Sequence, residues 1–264
     1  MYKLHPRHYV AVDCVILGYQ DEEIKLLLYP RSFEPYKGNW SLLGSFRFCF
    51  SVYLQKNRNE MNFQEFRTKM FELECFNTNQ VYAWKPDFEK NNLWEWTRKD
   101  LLVKLRNGYY TFPEFKSKSG FSFFLANRIY RPSYISLHTA LAFYGLIPEA
   151  VVQITSVTSL KTASFSNKFG EYSYKSIRSD LFFGYELKPV DERSILFASP
   201  EKALIDLLYL YPFYKNEIDF QELRLDEDFM QNSLNINLFQ DYLKQFGSKT
   251  LTKRANLLLK TYLL

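Results

Sequence analysis

Six basic side chains, Arg98, Lys99, Lys104, Arg106, Lys116 and Lys118, fall within the 21 residues from Arg98 to Lys118, against two acidic ones, Asp100 and Glu114. This local excess of positive charge is most of the net +5 carried by the whole chain of 264 residues, in which 34 Lys and Arg stand against 29 Asp and Glu. Cations gathered so densely suit phosphate contacts, whose affinity comes largely from release of the counterions condensed on a nucleic acid. A solvated surface face has the same composition, so the charge has to be read together with the elements that carry it.

Other chemistries find less in the sequence. Phosphate cleavage needs clustered carboxylates to hold Mg²⁺ or a Gly-rich loop that offers backbone N–H groups, and the chain has neither G-x-x-x-x-G-K nor G-x-G-x-x-G. Cys14, Cys49 and Cys75 form no C-x-x-C pair, and His5, His8 and His138 form no ligand cluster. Glu201, Lys202 and Asp206 lie close on one predicted helix, where Lys202 and Asp206, four residues apart, read as a surface ion pair. Ser199 reads as a helix N-cap, and His138 as a packed or surface histidine. No catalytic residue, metal site or cofactor is therefore expected.

The elements that position the basic segment are legible in part. Asn62 and Glu65 have the spacing of a capping box, and Phe63, Phe66, Met70 and Leu73 recur at helical spacing, which predicts a helix over 62–75. A short helix is expected at 80–84, and another starting at Asn91 or Asn92. Strands at 101–105 and 109–112 flank Arg106-Asn107-Gly108, whose Asn-Gly pair supplies the positive φ values of a tight hairpin. Three helices and a ribbon predict a winged helix-turn-helix over 61–118. In such a module Leu93 and Trp96 face inward. Lys90, Asn92, Trp94, Thr97, Arg98 and Lys99 are left for the major groove, with Lys104, Arg106 and Asn107 on the wing. Tyr109, Tyr110 and Phe112 also raise a stacking platform for single strands, but a ribbon must pack one face on the helices, and aromatic residues are ordinary there.

Residues 119–264 predict a mixed α/β region. Helices are expected from Ser136 as N-cap to Gly145, from Ser199 and Pro200 through Leu204, Leu207, Leu208 and Tyr211, and at 236–246 and 251–263. Strands are expected at 151–158, 171–177, 181–187 and 194–198. Toward the N-terminus, strands at 8–17 and 24–29 join across a turn at 18–23. With 25 Phe, 20 Tyr and 4 Trp against 9 Gly and 10 Pro, nearly every segment is expected to fold as an α+β protein. The odd cysteine count suits a reducing compartment. No run of about 18 apolar residues occurs, so a cytoplasmic protein without a membrane partner is expected.

Two resemblances follow from particular stretches. The run H-Y-V-A-V-D-C-V-I-L-G-Y-Q-D-E-E-I-K-L-L-L-Y-P-R-S-F-E-P-Y-K-G-N-W-S-L-L-G-S-F, residues 8–46, resembles the opening strands of a Nudix domain. The glutamate box of that family does not follow Phe46, so the resemblance implies a truncated remnant over 1–46, with a junction at 47–60. Further along, L-W-E-W-T-R-K-D-L-L-V-K-L-R-N-G-Y-Y, A-N-R-I-Y-R-P-S-Y-I-S-L-H-T-A-L-A-F-Y-G-L-I-P-E, I-T-S-V-T and F-A-S-P-E-K-A-L-I-D-L-L-Y-L resemble the AbiEi family of type IV toxin–antitoxin antitoxins, over 61–264. That resemblance implies a winged helix-turn-helix followed by an antitoxin domain. It implies a non-enzymatic repressor that binds inverted repeats in its own promoter DNA and opposes a nucleotidyltransferase-like toxin, without requiring a direct complex. The alternatives are a Nudix-type hydrolase or regulator, disfavoured by the absent glutamates, and a protein-interaction module that binds no DNA.

Overall fold

The computed structural model describes residues 62–149 and 151–263, together with the backbone of four strands nearer the N-terminus. The chain divides into two compact units, Met1–Asn59 and Glu60–Leu264. In the first, β1 (Ile16–Gln20) pairs antiparallel with β2 (Glu23–Leu26), and β3 (Leu28–Pro30) with β4 (Trp40–Leu42). Gln20 faces Glu23 across this pairing, so the turn is tighter than the expected 18–23, and Gly18 lies within a strand. The rest of the segment expected as a remnant over 1–46, and the junction expected at 47–60, lie outside the described residues.

The second unit is α+β. It opens with α1 (Phe63–Met70), whose first turn is capped by Asn62: its side chain accepts the Gln64 N–H at 2.9 Å. The helix stops short of the expected Cys75. A 3₁₀ turn at Phe71–Leu73 leads to Glu74, whose φ of 58° turns the chain into β5 (Cys75–Asn77). Asn77 then starts α2 (Thr78–Trp84) through a reciprocal capping box with Gln80, so the N-T-N-Q break is itself a helix start. The next helix, α3 (Asn91–Arg98), carries Lys90 rather than an asparagine at its cap position. After it come β6 (Val103–Arg106) and β7 (Tyr109–Thr111), and the three strands form one antiparallel sheet in the order β5-β7-β6.

A 3₁₀ turn at Pro113–Ser117 leads into α4 (Phe121–Ile129), β8 (Ser133–Ile135), α5 (Leu137–Phe143), β9 (Gln153–Thr158), β10 (Ala163–Asn167) and β11 (Gly170–Ser176). Then follow β12 (Tyr185–Val190), β13 (Arg193–Ala198), α6 (Pro200–Leu210), α7 (Glu217–Glu222), α8 (Ile236–Phe246) and α9 (Lys249–Leu263). The strands form a mixed six-stranded sheet, β10-β11-β9-β8-β13-β12, parallel at β11–β9 and β13–β8 and antiparallel elsewhere. The expected strand at 181–187 begins only at Tyr185: a 3₁₀ turn at Ser179–Leu181 and Gly184 at φ +71° precede it. Helices pack on the sheet through large side chains. Phe197 of β13 stacks on Phe143 of α5 with centroids 4.3 Å apart, and the Tyr174 hydroxyl of β11 donates to the Ala126 carbonyl of α4 at 2.8 Å. One contiguous hydrophobic core runs from Phe66 through the sheet to Tyr262. Among the described residues no helix is long and apolar enough to cross a membrane.

Candidate nucleic-acid interface

The inner face of α3 is fixed by packing. Leu93 and Trp96 are buried, and the Trp96 ring meets Phe66 at 4.6 Å and Phe63 at 5.2 Å. With that face anchored, the helical repeat turns Trp94 and Arg98 outward. Trp94 is 62% exposed, and the Arg98 guanidinium lies 4.9 Å from the centroid of its ring, the neighbour one turn away. Lys90 and Lys99, at the two ends of the helix, are exposed as well. Asn92 is half-buried. Thr97 is too, and its hydroxyl donates to the Leu93 carbonyl at 2.7 Å.

The hairpin is divided in its loyalties. Lys104 and Asn107 are exposed. The turn is nevertheless docked, because Thr78 donates its N–H to the Gly108 carbonyl at 2.9 Å; of the Asn-Gly pair only Gly108, and not both residues as expected, adopts a positive φ, +78°. Arg106 departs from its expected place on the wing surface. It is half-buried, donates to the Ile129 carbonyl at 2.7 Å, and sits among the rings of Tyr109, Tyr130 and Phe165. The stacking platform is likewise spent on packing: Tyr110 and Phe112 are buried, and burial raises the Tyr110 hydroxyl pKa.

Both acidic residues of the basic segment are held by cations from elsewhere. Lys168 pairs with Asp100 at 2.6 Å and Arg67 with Glu114 at 2.8 Å. Lys116 and Lys118 remain exposed alongside. The segment thus presents five of its six cations, Arg106 being the exception, while its carboxylates pair with cations 68 and 47 residues away, a distance at which no sequence pattern points to them. The chemistry on offer is a set of exposed cations and one exposed indole around a short helix, suited to an anionic polymer.

The surface pair expected at Lys202 and Asp206 is instead buried, with both side chains fully enclosed. The Lys202 ammonium contacts Asp206 Oδ1 and donates to the Tyr134 hydroxyl at 2.7 Å. Tyr134 and Ser136 each donate to Asp206 Oδ2 at 2.9 Å. Ser136 thereby serves Asp206 and makes no side-chain cap to α5, although it occupies the cap position. Burial pulls the Lys202 pKa down and pushes that of Asp206 up, each against the pull of its partner. The signal for this burial was in the sequence: Ala203, Leu204, Ile205, Leu207 and Leu208 make α6 apolar on nearly every side, the pattern of an enclosed helix. Ser199 caps α6 as expected, its hydroxyl accepting the Lys202 N–H at 3.2 Å. His138 is half-buried, with its ring 5.9 Å from Tyr211, and desolvation lowers its pKa. Among the described residues no group of three His, Cys, Asp or Glu side chains stands close enough to hold a metal ion.

A scan against protein-family models and a search of curated proteins each return no match for this chain.

Proposed function

We propose that residues 61–118 form a winged helix-turn-helix that binds duplex DNA, and that the chain is an AbiEi-type antitoxin repressing its own operon. The observation that carries this reading is the order helix, strand, helix, helix, strand, strand, with the three strands paired β5-β7-β6 and an exposed basic face on the third helix. In that module the third helix enters the major groove and the hairpin lies along the backbone. Trp94 and Arg98 then face base edges, and Lys90, Lys99 and Lys104 face phosphates, with Asn107 at the hairpin turn. The rest of the reading, opposition to a nucleotidyltransferase-like toxin and the Nudix-like character of residues 8–46, rests on the sequence resemblance.

The test is binding of the purified chain to duplex DNA from immediately upstream of its own coding sequence, against a scrambled duplex, at two salt concentrations. The reading predicts a preference for the upstream duplex and an affinity that falls steeply with salt. Arg98→Ala is expected to weaken the preferred complex by about 1–3 kcal/mol while leaving the scrambled one nearly unchanged. Equal losses on both duplexes would make Arg98 a phosphate contact. Absence of any preference at low salt would favour a protein-interaction module.

A further inference from the structure

We propose that Arg106 is a positioning residue and not a phosphate ligand: its guanidinium pins the β6–β7 hairpin to the β10 side of the six-stranded sheet and so sets where Lys104 and Asn107 stand relative to α3. This inference rests on the DNA-binding reading for its consequence, though not for its geometry.

The guanidinium is enclosed from both sides of the junction. Tyr109, from its own hairpin, lies with its centroid 5.1 Å away; Tyr130, which follows α4, lies at 5.5 Å; and Phe165 of β10 at 4.9 Å. One N–H is committed to the Ile129 carbonyl at 2.7 Å. The cage is itself braced. Tyr174 meets Tyr130 at 5.0 Å and Phe165 at 5.7 Å, and the Tyr130 hydroxyl donates to the Lys161 carbonyl at 2.8 Å. A second tie runs beside it, from the Asn167 amide to the Leu105 carbonyl at 3.3 Å. The hairpin is shaped for this. Its register skips between Lys104 and Arg106, leaving buried Leu105 as an extra residue, and such a bulge re-aims the side chain that follows.

Only arginine meets these demands together. A planar guanidinium stacks against several rings while its edge donates hydrogen bonds, whereas a lysine ammonium carries the same charge without the plane. Reaching for a phosphate would strip Arg106 from three rings and leave the Ile129 carbonyl without this donor. Charge-preserving substitution therefore separates the two roles.

The experiment uses the full chain as wild type, Arg106→Lys, Arg106→Gln, Phe165→Leu and the double variant of Arg106→Lys with Phe165→Leu, with hydrogen exchange on the free proteins and binding to the upstream and scrambled duplexes over a salt series. In Arg106→Lys the amides of 103–111 are expected to exchange at least tenfold faster while those of α1 stay unchanged. Its preference for the upstream duplex falls at least fivefold with the salt slope unaltered. Phe165→Leu, which removes a ring of the cage and none of the proposed DNA contacts, does the same in kind, and the double variant is no worse than Arg106→Lys alone. Wild-type exchange and preference in Arg106→Lys would overturn the proposal. So would a silent Phe165→Leu beside an Arg106→Gln variant whose salt slope drops by about one, the mark of a lost phosphate contact. If the wild type shows no preference for its upstream duplex, the DNA reading fails, and the exchange data alone then decide whether Arg106 pins the hairpin.

Discussion

Lys202 and Asp206 show how far a residue's surroundings can reverse its sequence reading. Four-residue spacing on a helix is the spacing of an exposed pair, yet here both charges are enclosed and further hydrogen bonds come from Tyr134 and Ser136, about 70 residues earlier. Gly184 completes the arrangement, since a Cβ there would stand 3.0 Å from the Lys202 side chain in a backbone region that favours glycine. Breaking one member of a buried pair leaves an unpaired charge, so Lys202→Met is expected to cost about 3–5 kcal/mol in urea unfolding. Lys202→Met combined with Asp206→Leu should recover part of that loss: no charge then remains to be solvated, but the buried Tyr134 and Ser136 hydroxyls lose their acceptor. Equal losses in the single and double variants would show that packing and not charge is the source. Cys75 tests burial by a different route. Its enclosure pushes the thiol up to about 12 from a usual 9, so the folded state keeps a proton that the unfolded state gives up. This contribution to stability is complete below pH 9 and is lost as the pH rises toward 12. At pH 8 the thiol is protonated, and alkylation by iodoacetamide, read by peptide mass, should mark Cys75 only in denaturant. At this scale the outer face of α3 was legible in part: Trp96 and Leu93 fix what Trp94 and Arg98 do, but Asn92 and Thr97, expected on the same side, are half-buried. Arg106 was not, because its partners at Ile129, Tyr130 and Phe165 arrive from 23 to 59 residues away.

Elements were legible where a local signal both starts and orients them. Ser199-Pro200 opens α6 at the expected residue, Ile236–Phe246 matches its pattern, and the hairpin turns at 107–108 as expected, though with a positive φ at Gly108 alone. Elements defined by their neighbours were not. Helix α4 begins at Gly120, without a polar side-chain cap, and buries Phe121, Phe124, Leu125, Ala126 and Ile129, so its apolar stripe is too wide to stand out. Strand β10 alternates in burial along A-S-F-S-N but carries a single large apolar residue, Phe165. Strand β8 is only three residues long and is wholly buried. The start of α2 lay hidden in a polar tetrapeptide that reads as a break, although its Asn77 and Gln80 satisfy each other's backbone N–H groups. Asn77→Ala removes one arm of that box and is expected to destabilise the unit by about 1 kcal/mol, while Asn77→Ser should retain most of the cap. A lower urea midpoint of the alanine variant with an unchanged slope, beside a serine variant close to wild type, would show that the lost cap lowers stability without changing the surface exposed on unfolding.

At the scale of the molecule, the described residues from Phe66 to Tyr262 share a single core, and polar ties run through it between the early helices and the large sheet. The strongest is the fork between Arg193 and Glu74, with two contacts at 2.8 and 2.5 Å and the arginine side chain only 10% exposed. That hydrogen-bonded partner raises the Arg193 pKa, and the guanidinium also lies over the rings of Phe121 and Phe124. Glu74 is the residue whose positive φ turns the chain from α1 into β5, so one side chain joins the geometry of the candidate DNA-binding region to β13. A unit connected in this way should unfold as a whole. Residues 60–264, isolated and heated in a calorimeter, are expected to give one transition whose calorimetric and van't Hoff enthalpies agree. Glu74→Gln weakens charge-assisted bonds by about 2 kcal/mol, which for a chain of this size lowers that single transition by roughly 4–8 °C. Two transitions, of which the substitution moves only one, would mean that the helices and hairpin fold apart from the sheet. Arg106 would then hold together two domains that are independently stable, and its replacement would separate them without melting either.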